Sequence, residues 1–219
     1  MVLPTPPKVI IFDFDGVILD SAEIKLHAYA VLYADEAPEK IQVLLQHAWL
    51  NGGITRRTKI EYYERNLFGR SGDVETVEAL AQRYSEIVYQ AVLRCPFVEG
   101  AEALLERASA ADVAMHVVSG TPERELRQII AKRNLSHFFR SVWGAPATKP
   151  DSFRKILVTE GYGRAETLAV GDSHTEYLAA RNVGIPFLGI VPQGSENPFP
   201  ADVVVCQSLV DSDKLLKIK

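Results

Sequence analysis

Asp13 and Asp15 lie in the segment Phe12-Asp13-Phe14-Asp15-Gly16, two carboxylates two positions apart and directly before a glycine. On a continuing strand both side chains would point the same way, and a glycine lets the backbone turn so that both acids approach one cation or one phosphate. The same spacing also suits an acid pair that stabilises a turn, so the pair alone leaves both readings open. A calcium loop of the EF-hand type would need an acid or amide at Val17 and a glycine at Ile18, and is rejected. Three more polar residues follow at intervals: Ser119, then Lys149 in Thr148-Lys149-Pro150, then Asp172 in Val170-Gly171-Asp172-Ser173. Taken singly, Ser119 suits a loop, Lys149 a solvated surface charge and Asp172 a helix N-cap. Taken together they supply what transfer of a phosphoryl group needs: an in-line nucleophile, donors to the equatorial oxygens, a compensating cation and an acid for the leaving group.

The elements that would position these residues are legible as apolar runs. Val9-Ile10-Ile11-Phe12 is continuous and β-prone, as expected of a strand buried on both faces. Val113 to Val118 ends at Ser119-Gly120, Thr167 to Val170 ends at Gly171-Asp172, Phe187 to Val191 ends at Pro192, and Val203 to Val205 forms a last run. Helical spacing occupies Pro122 to Asn134, with Thr121 as the expected N-cap and Pro122 as the first helical residue, and recurs over Phe153 to Glu160 and Glu176 to Asn182. Strands alternating with helices predict an α/β fold, a parallel Rossmann-like sheet covered by helices on both faces, with ligands at the carboxyl ends of its strands. The stretch from Asp20 to Cys95 breaks the alternation with amphipathic helical patterns, the longest over Val74 to Leu93, and Gly52-Gly53 interrupts it. It reads as a helical insert after the first strand. The expected organisation is a core of residues 1–19 and 96–219 with a helical cap of residues 20–95.

In this order the four segments resemble those of the haloacid dehalogenase superfamily, in its phosphatase branch with a helical cap after the first strand, similar to phosphoglycolate phosphatases and β-phosphoglucomutases. The likeness covers nearly the whole chain. It implies that Asp13 is a nucleophile forming an aspartyl-phosphate, and that Asp15 is the general acid that later activates water. It also implies that Ser119 and Gly120 meet the phosphoryl group, that Lys149 holds Asp13 and phosphate in register, and that Asp13, the backbone carbonyl of Asp15 and Asp172 hold Mg²⁺. An acid at Asp15 distinguishes phosphate-ester enzymes of this superfamily from its dehalogenases and phosphonatases. Gly53-Ile54-Thr55-Arg56-Arg57 resembles the substrate-recognition loop of β-phosphoglucomutase-like relatives, which makes Arg56 the candidate for a second anionic group of the substrate, with Arg57 a weaker one. Many relatives carry an aspartate where this chain has Glu176, one methylene longer, so a water-mediated or Lys149-orienting role is expected there rather than direct coordination.

Composition narrows the partners. Twenty-four Lys and Arg against 28 Asp and Glu give a formal charge of -4, without the basic excess that nucleic acid or an anionic membrane would require. An anionic substrate must therefore meet a local basic pocket. Cys95 and Cys206 are far apart and lack metal-ligand spacing, so buried free thiols are expected. The N-terminal Met1 to Pro7 has no basic start, and Val9 to Phe12 is too short for a signal or membrane segment, which points to the cytoplasm. The expected activity is Mg²⁺-dependent hydrolysis of a small organic phosphate monoester by a monomer or homodimer. A sugar phosphomutase using the same residues and a non-catalytic phosphate-binding regulator are the alternatives.

Overall fold

The computed structural model of the chain describes residues 5–210; residues 1–4 and 211–219, the outer ends of the expected core segments, lie outside the described residues. Six parallel strands form one sheet in the order β3-β2-β1-β4-β5-β6: β1 Val9–Phe12, β2 Ala114–Pro122, β3 Ser141–Ala145, β4 Thr167–Gly171, β5 Phe187–Ile190 and β6 Val204–Cys206. The chain fills the β2 side of β1 first and then crosses to the β4 side, so the topological switch lies between β1 and β4, where open α/β sheets bind ligands. Register fixes what that switch carries. Phe12 is opposite Val170, which brings Asp13 past the end of β1 and Asp172 past the end of β4 into one crevice.

Every residue of β1 is buried, and alternation divides them between two apolar layers. Ile10 and Phe12 join the larger layer with helices α5 (Ala101–Ala110) and α6 (Glu123–Lys132), whereas Val9 and Ile11 face α7 (Lys149–Glu160) and α8 (His174–Val183) through Phe153, Ile156 and Ala180. This is the two-faced burial that a continuous apolar run encodes. Cys95 and Cys206 are both buried and form no disulfide with each other, as their spacing predicts.

Between β1 and β2 the chain forms α1 (Ala22–Leu32), α2 (Pro38–Leu50), α3 (Arg56–Tyr62) and α4 (Val74–Arg94), the helical insert that the sequence predicts. It leaves and returns at one place: the amide of Asp20 donates to Pro96 O at 3.0 Å and that of Val98 to Ile18 O at 3.0 Å. Side-chain oxygens start two of its helices, with Thr55 Oγ1 accepting from the amide of Thr58 at 3.4 Å and Asp73 Oδ1 from that of Thr76 at 2.9 Å.

Several local expectations change. The N-cap of α6 is Pro122 rather than Thr121, whose hydroxyl is engaged with Asp15 in the crevice instead of with the helix start. Helix α7 starts at Lys149, four residues ahead of Phe153, since Thr148 caps it by accepting from the amide of Asp151 at 3.3 Å. β3 is an edge strand of Ser-Val-Trp-Gly-Ala with alternating burial, so it lacks the apolar run that marks the buried strands. In α5 the buried stripe Ala101, Leu104, Leu105 and Ala108 has helical spacing but is half alanine, a faint signal in sequence.

Candidate active site

The carboxyl ends of β1, β2 and β4 and the inner faces of α1 and α3 enclose a cleft of about 1090 Å³, lined among others by Asp13, Asp15, Ser119, Gly120 and Asp172. Asp13 is 6% exposed. Its Oδ1 accepts from the amide of Phe14 at 2.6 Å and its Oδ2 from Lys149 Nζ at 3.1 Å, so both oxygens are oriented. Burial pushes its carboxyl above the ordinary range, the Lys149 charge pulls it back, and Asp15 pushes it up again. Lys149, the first residue of α7, also forms an ion pair with Glu176 of α8 and thus bridges two buried acids.

Asp15 is held by three side chains. Ser21 donates to Oδ1 at 2.6 Å, and Lys25 of α1 and Thr121 both donate to Oδ2, Thr121 at 3.0 Å. Lys25 also donates to the Thr121 hydroxyl at 2.6 Å. Burial acts to raise the Asp15 pKa, but the Lys25 charge and the three hydrogen bonds outweigh it, leaving the pKa below the usual carboxylate value. The sequence motifs do not mark Lys25, and they mark Thr121 only as a helix cap. Thr121 lies two residues beyond Ser119 on the same strand end, and Lys25 lies one turn after Ser21, but neither signal stands out without the fold.

Ser119 is buried, with its Oγ accepting from the amide of Thr121 at 3.1 Å. A β-carbon on Gly120 would sit 2.8 Å from Gly53 O, so the absence of a side chain there lets the β2 end approach the insert's glycine loop. On the other side of that loop Thr175 donates to Gly52 O at 3.1 Å. The insert is therefore closed over the strand ends.

Asp13, Asp172 and Glu176 each bring a carboxylate oxygen within 4.8 Å of the others. Three acids share the one ammonium of Lys149 in this cluster. Burial, reinforced by the negative charge of Asp13, pushes Asp172 up to about 7. Gly16, at φ +73, leaves room for this group, since a β-carbon there would lie 2.1 Å from Asp172 Oδ2. Excess buried negative charge on oxygen donors fits a hard divalent cation. Glu176 is both part of this acid cluster and the partner of Lys149, and Ser173 donates to its other oxygen. His174, by contrast, packs its ring against Tyr177.

Arg56 lies on the cleft wall but its guanidinium is engaged. It makes a bidentate pair with Glu125 of α6 at 2.8 and 2.9 Å, donates to Ser85, and stacks over the Tyr84 ring at 4.9 Å. Arg57 points outward to Glu78. The Arg56 pair ties the insert to the core with both partners largely buried, at 7% and 11% exposure. Glu125→Gln is expected to cost about 3 kcal/mol, because it leaves a buried guanidinium without its charge partner. In a thermal melt that corresponds to a drop of roughly 6–12 °C. A melting point unchanged from wild type would show that the latch carries no stability.

A profile of haloacid dehalogenase-like hydrolases matches residues 10–190, from β1 to the end of β5. The chain belongs to this family. Curated relatives of the haloacid dehalogenase-like chain are named as phosphatases: the phosphoglycolate phosphatase of Pseudomonas syringae pv. tomato is 26% identical over 211 residues, covering 88% of this chain and 75% of that one. Family and relatives together mark the chain as an enzyme, a phosphoric monoester hydrolase of the haloacid dehalogenase type. Solved structures share its fold. CbbY from Rhodobacter sphaeroides, in complex with phosphate, superimposes with a TM-score of 0.72 at 16% identity, covering 94% of this chain and 96% of that one. Bacillus subtilis YfnB, bound to magnesium, gives 0.72 at 18% identity over 98% and 100%. No helix among the described residues is long and apolar enough to cross a membrane.

Proposed function

We propose that this phosphatase hydrolyses a small organic phosphate monoester with Mg²⁺ and an aspartyl-phosphate formed on Asp13. The observation that carries the reading is the position of Asp13: at the sheet's switch point, open to the cleft, with both oxygens oriented by the Phe14 amide and Lys149. A carboxylate fixed in this way presents a lone pair in one direction, the requirement for in-line attack on phosphorus. Asp13, Asp172 and the backbone carbonyl of Asp15 would hold the Mg²⁺, which when bound neutralises charge on the phosphoryl oxygens. Glu176 would act mainly by orienting Lys149. Ser119 and the Gly120 backbone would receive the phosphoryl oxygens that Lys149 does not reach.

Asp15 would protonate the leaving oxygen and then take a proton from water. Its ionised state beside Lys25 suits the second task. For the first, a phosphate dianion arriving in the cleft favours protonation of the adjacent carboxyl by like-charge repulsion. Residues 20–95 would form the cap that excludes water while the phosphoryl group moves, the closed contacts at Gly52, Gly53 and Arg56 being its seat. The acidic net charge and a cleft roofed by the insert favour a free metabolite as substrate, and a monomer or homodimer without nucleic acid or membrane in a cytoplasmic setting.

The test is release of inorganic phosphate from a panel of small phosphate esters, with product analysis to separate hydrolysis from isomerisation. Turnover of at least one ester is expected with Mg²⁺, falling more than about a hundredfold on chelation and returning on readdition, the scale expected for loss of a Lewis acid worth several kcal/mol. Equal rates in chelator would remove the metal from the reading, and an isomeric product would replace hydrolysis by transfer.

A further inference from the structure

Three cations of the helical insert line the cleft: Lys25, Arg56 and Lys59. Two of them face carboxylates, Lys25 that of Asp15 and Arg56 that of Glu125. Lys59 differs. It is 8% exposed, donates once to Ala48 O at 3.1 Å, and lies over the Tyr29 ring at 5.7 Å; among the described residues it has no carboxylate at ion-pair distance. Among the described residues, two of its three N–H donors thus have no acceptor of their own. A buried ammonium without a counter-charge is costly, and burial, with Lys149 and Lys25 adding to it and Asp172 opposing, lowers its pKa to about 8. Lys149, Lys25 and Asp172 are the groups around the phosphoryl end of the cleft, so Lys59 lies within electrostatic reach of that end.

Position on the helix accounts for this. Arg56 and Lys59 are three residues apart on α3 and share its inward face with Ile60, while Arg57 points to solvent. The two inward cations are adjacent, and Glu125 engages only the first.

We propose that Lys59, rather than Arg56, is the specificity-determining cation of the insert, and that it pairs with a carboxylate carried by the phosphate ester. The assignment rests on the phosphatase reading above. One ammonium with two available donors matches the single charge and two oxygens of a carboxylate. A second phosphate dianion would need a further cation, and Arg56 is held by Glu125 and Ser85.

The probes are phosphoglycolate, in which a carboxylate lies close to the ester oxygen, and 2-hydroxyethyl phosphate, in which a hydroxymethyl group replaces it. Binding of each is measured by calorimetry with Mg²⁺ on the full-length Asp13→Asn protein, which removes turnover from the measurement. Phosphoglycolate is expected to bind about ten- to a hundredfold more tightly, as a charge-assisted bond to a buried lysine implies. Adding Lys59→Met should collapse that ratio to about one, whereas adding Lys59→Arg, which restores the charge, should retain most of it. If Lys59→Met does not fold, Lys59→Gln gives the same comparison. A ratio near one in the parent, a ratio that survives loss of the lysine, or equal weakening of both ligands overturns the assignment. Wild-type protein that binds with the expected ratio but releases phosphate from no ester would instead overturn the phosphatase reading and leave Lys59 as the carboxylate site.

Discussion

Asp13→Asn is expected to lower phosphate release by at least about a thousandfold while the protein stays folded with a melting temperature at or above that of wild type. The substitution is isosteric. An amide oxygen can still accept from the Phe14 amide, and the position stays filled beside Lys149, so the strand end keeps its shape. What is lost is the negative charge and the lone pair that would attack phosphorus. The carboxylate is not a source of stability, because burial raises its pKa and its neighbours Asp172 and Glu176 are also acidic. Phosphate release with Mg²⁺ and a thermal melt on the same preparation check both parts. Wild-type turnover would place the nucleophile elsewhere, and a large fall in melting temperature would mean that the loss of activity reports unfolding.

Lys149→Met should abolish activity to a similar degree but with the opposite effect on stability. Lys149 is 8% exposed and is the partner of both Asp13 and Glu176, so its removal leaves two buried carboxylates, with the half-buried Asp172 beside them, without a cation in the cluster. Breaking such a pair costs about 3–5 kcal/mol, which for a chain of this size lowers the melting temperature by roughly 6–20 °C. Two recoveries are expected. Saturating Mg²⁺ should restore part of the loss by supplying positive charge, and Glu176→Gln in the same chain should restore part of it by removing one unpaired acid. Denaturant titration of the single and double variants, with and without Mg²⁺, reads the pattern. A Lys149→Met protein as stable as wild type would show that the cluster is neutralised by protonation rather than by the lysine.

The pair of variants separates two roles that the primary sequence presents alike. Asp13 directly follows β1 and Lys149 opens α7, yet one adds to an excess of buried negative charge and the other relieves it. That contrast follows from the cluster geometry, with three carboxylates within 4.8 Å of one another and one ammonium to share.

The buried strands, the place of the helical insert and the convergence of Asp13, Asp15, Ser119 and Asp172 on one cleft could be read from the chain itself. Apolar runs ending in Asp13, Ser119 and Asp172 specify buried parallel strands whose last residues must reach one edge of the sheet, because a strand buried on both faces leaves only its ends for polar groups. The edge strand Ser141–Ala145 and the alanine-rich helix Ala101–Ala110 were not legible in the same way, since half-exposed or small side chains weaken the periodic signal.

The tertiary structure alone decided which charges meet. Periodicity along α3 places Arg56 and Lys59 on one inward face, but nothing local states that Glu125, sixty-nine positions later, engages the first and leaves the second facing the cleft. The same holds for Lys25 beside Thr121, ninety-six positions apart. Local sequence sets the face that each element buries, through spacing and side-chain size. Partner choice across the cleft depends on how the insert closes on the sheet, a long-range geometry that fixes distances between charges and so decides which of them is paired, which is shifted in pKa, and which has donors to offer a substrate.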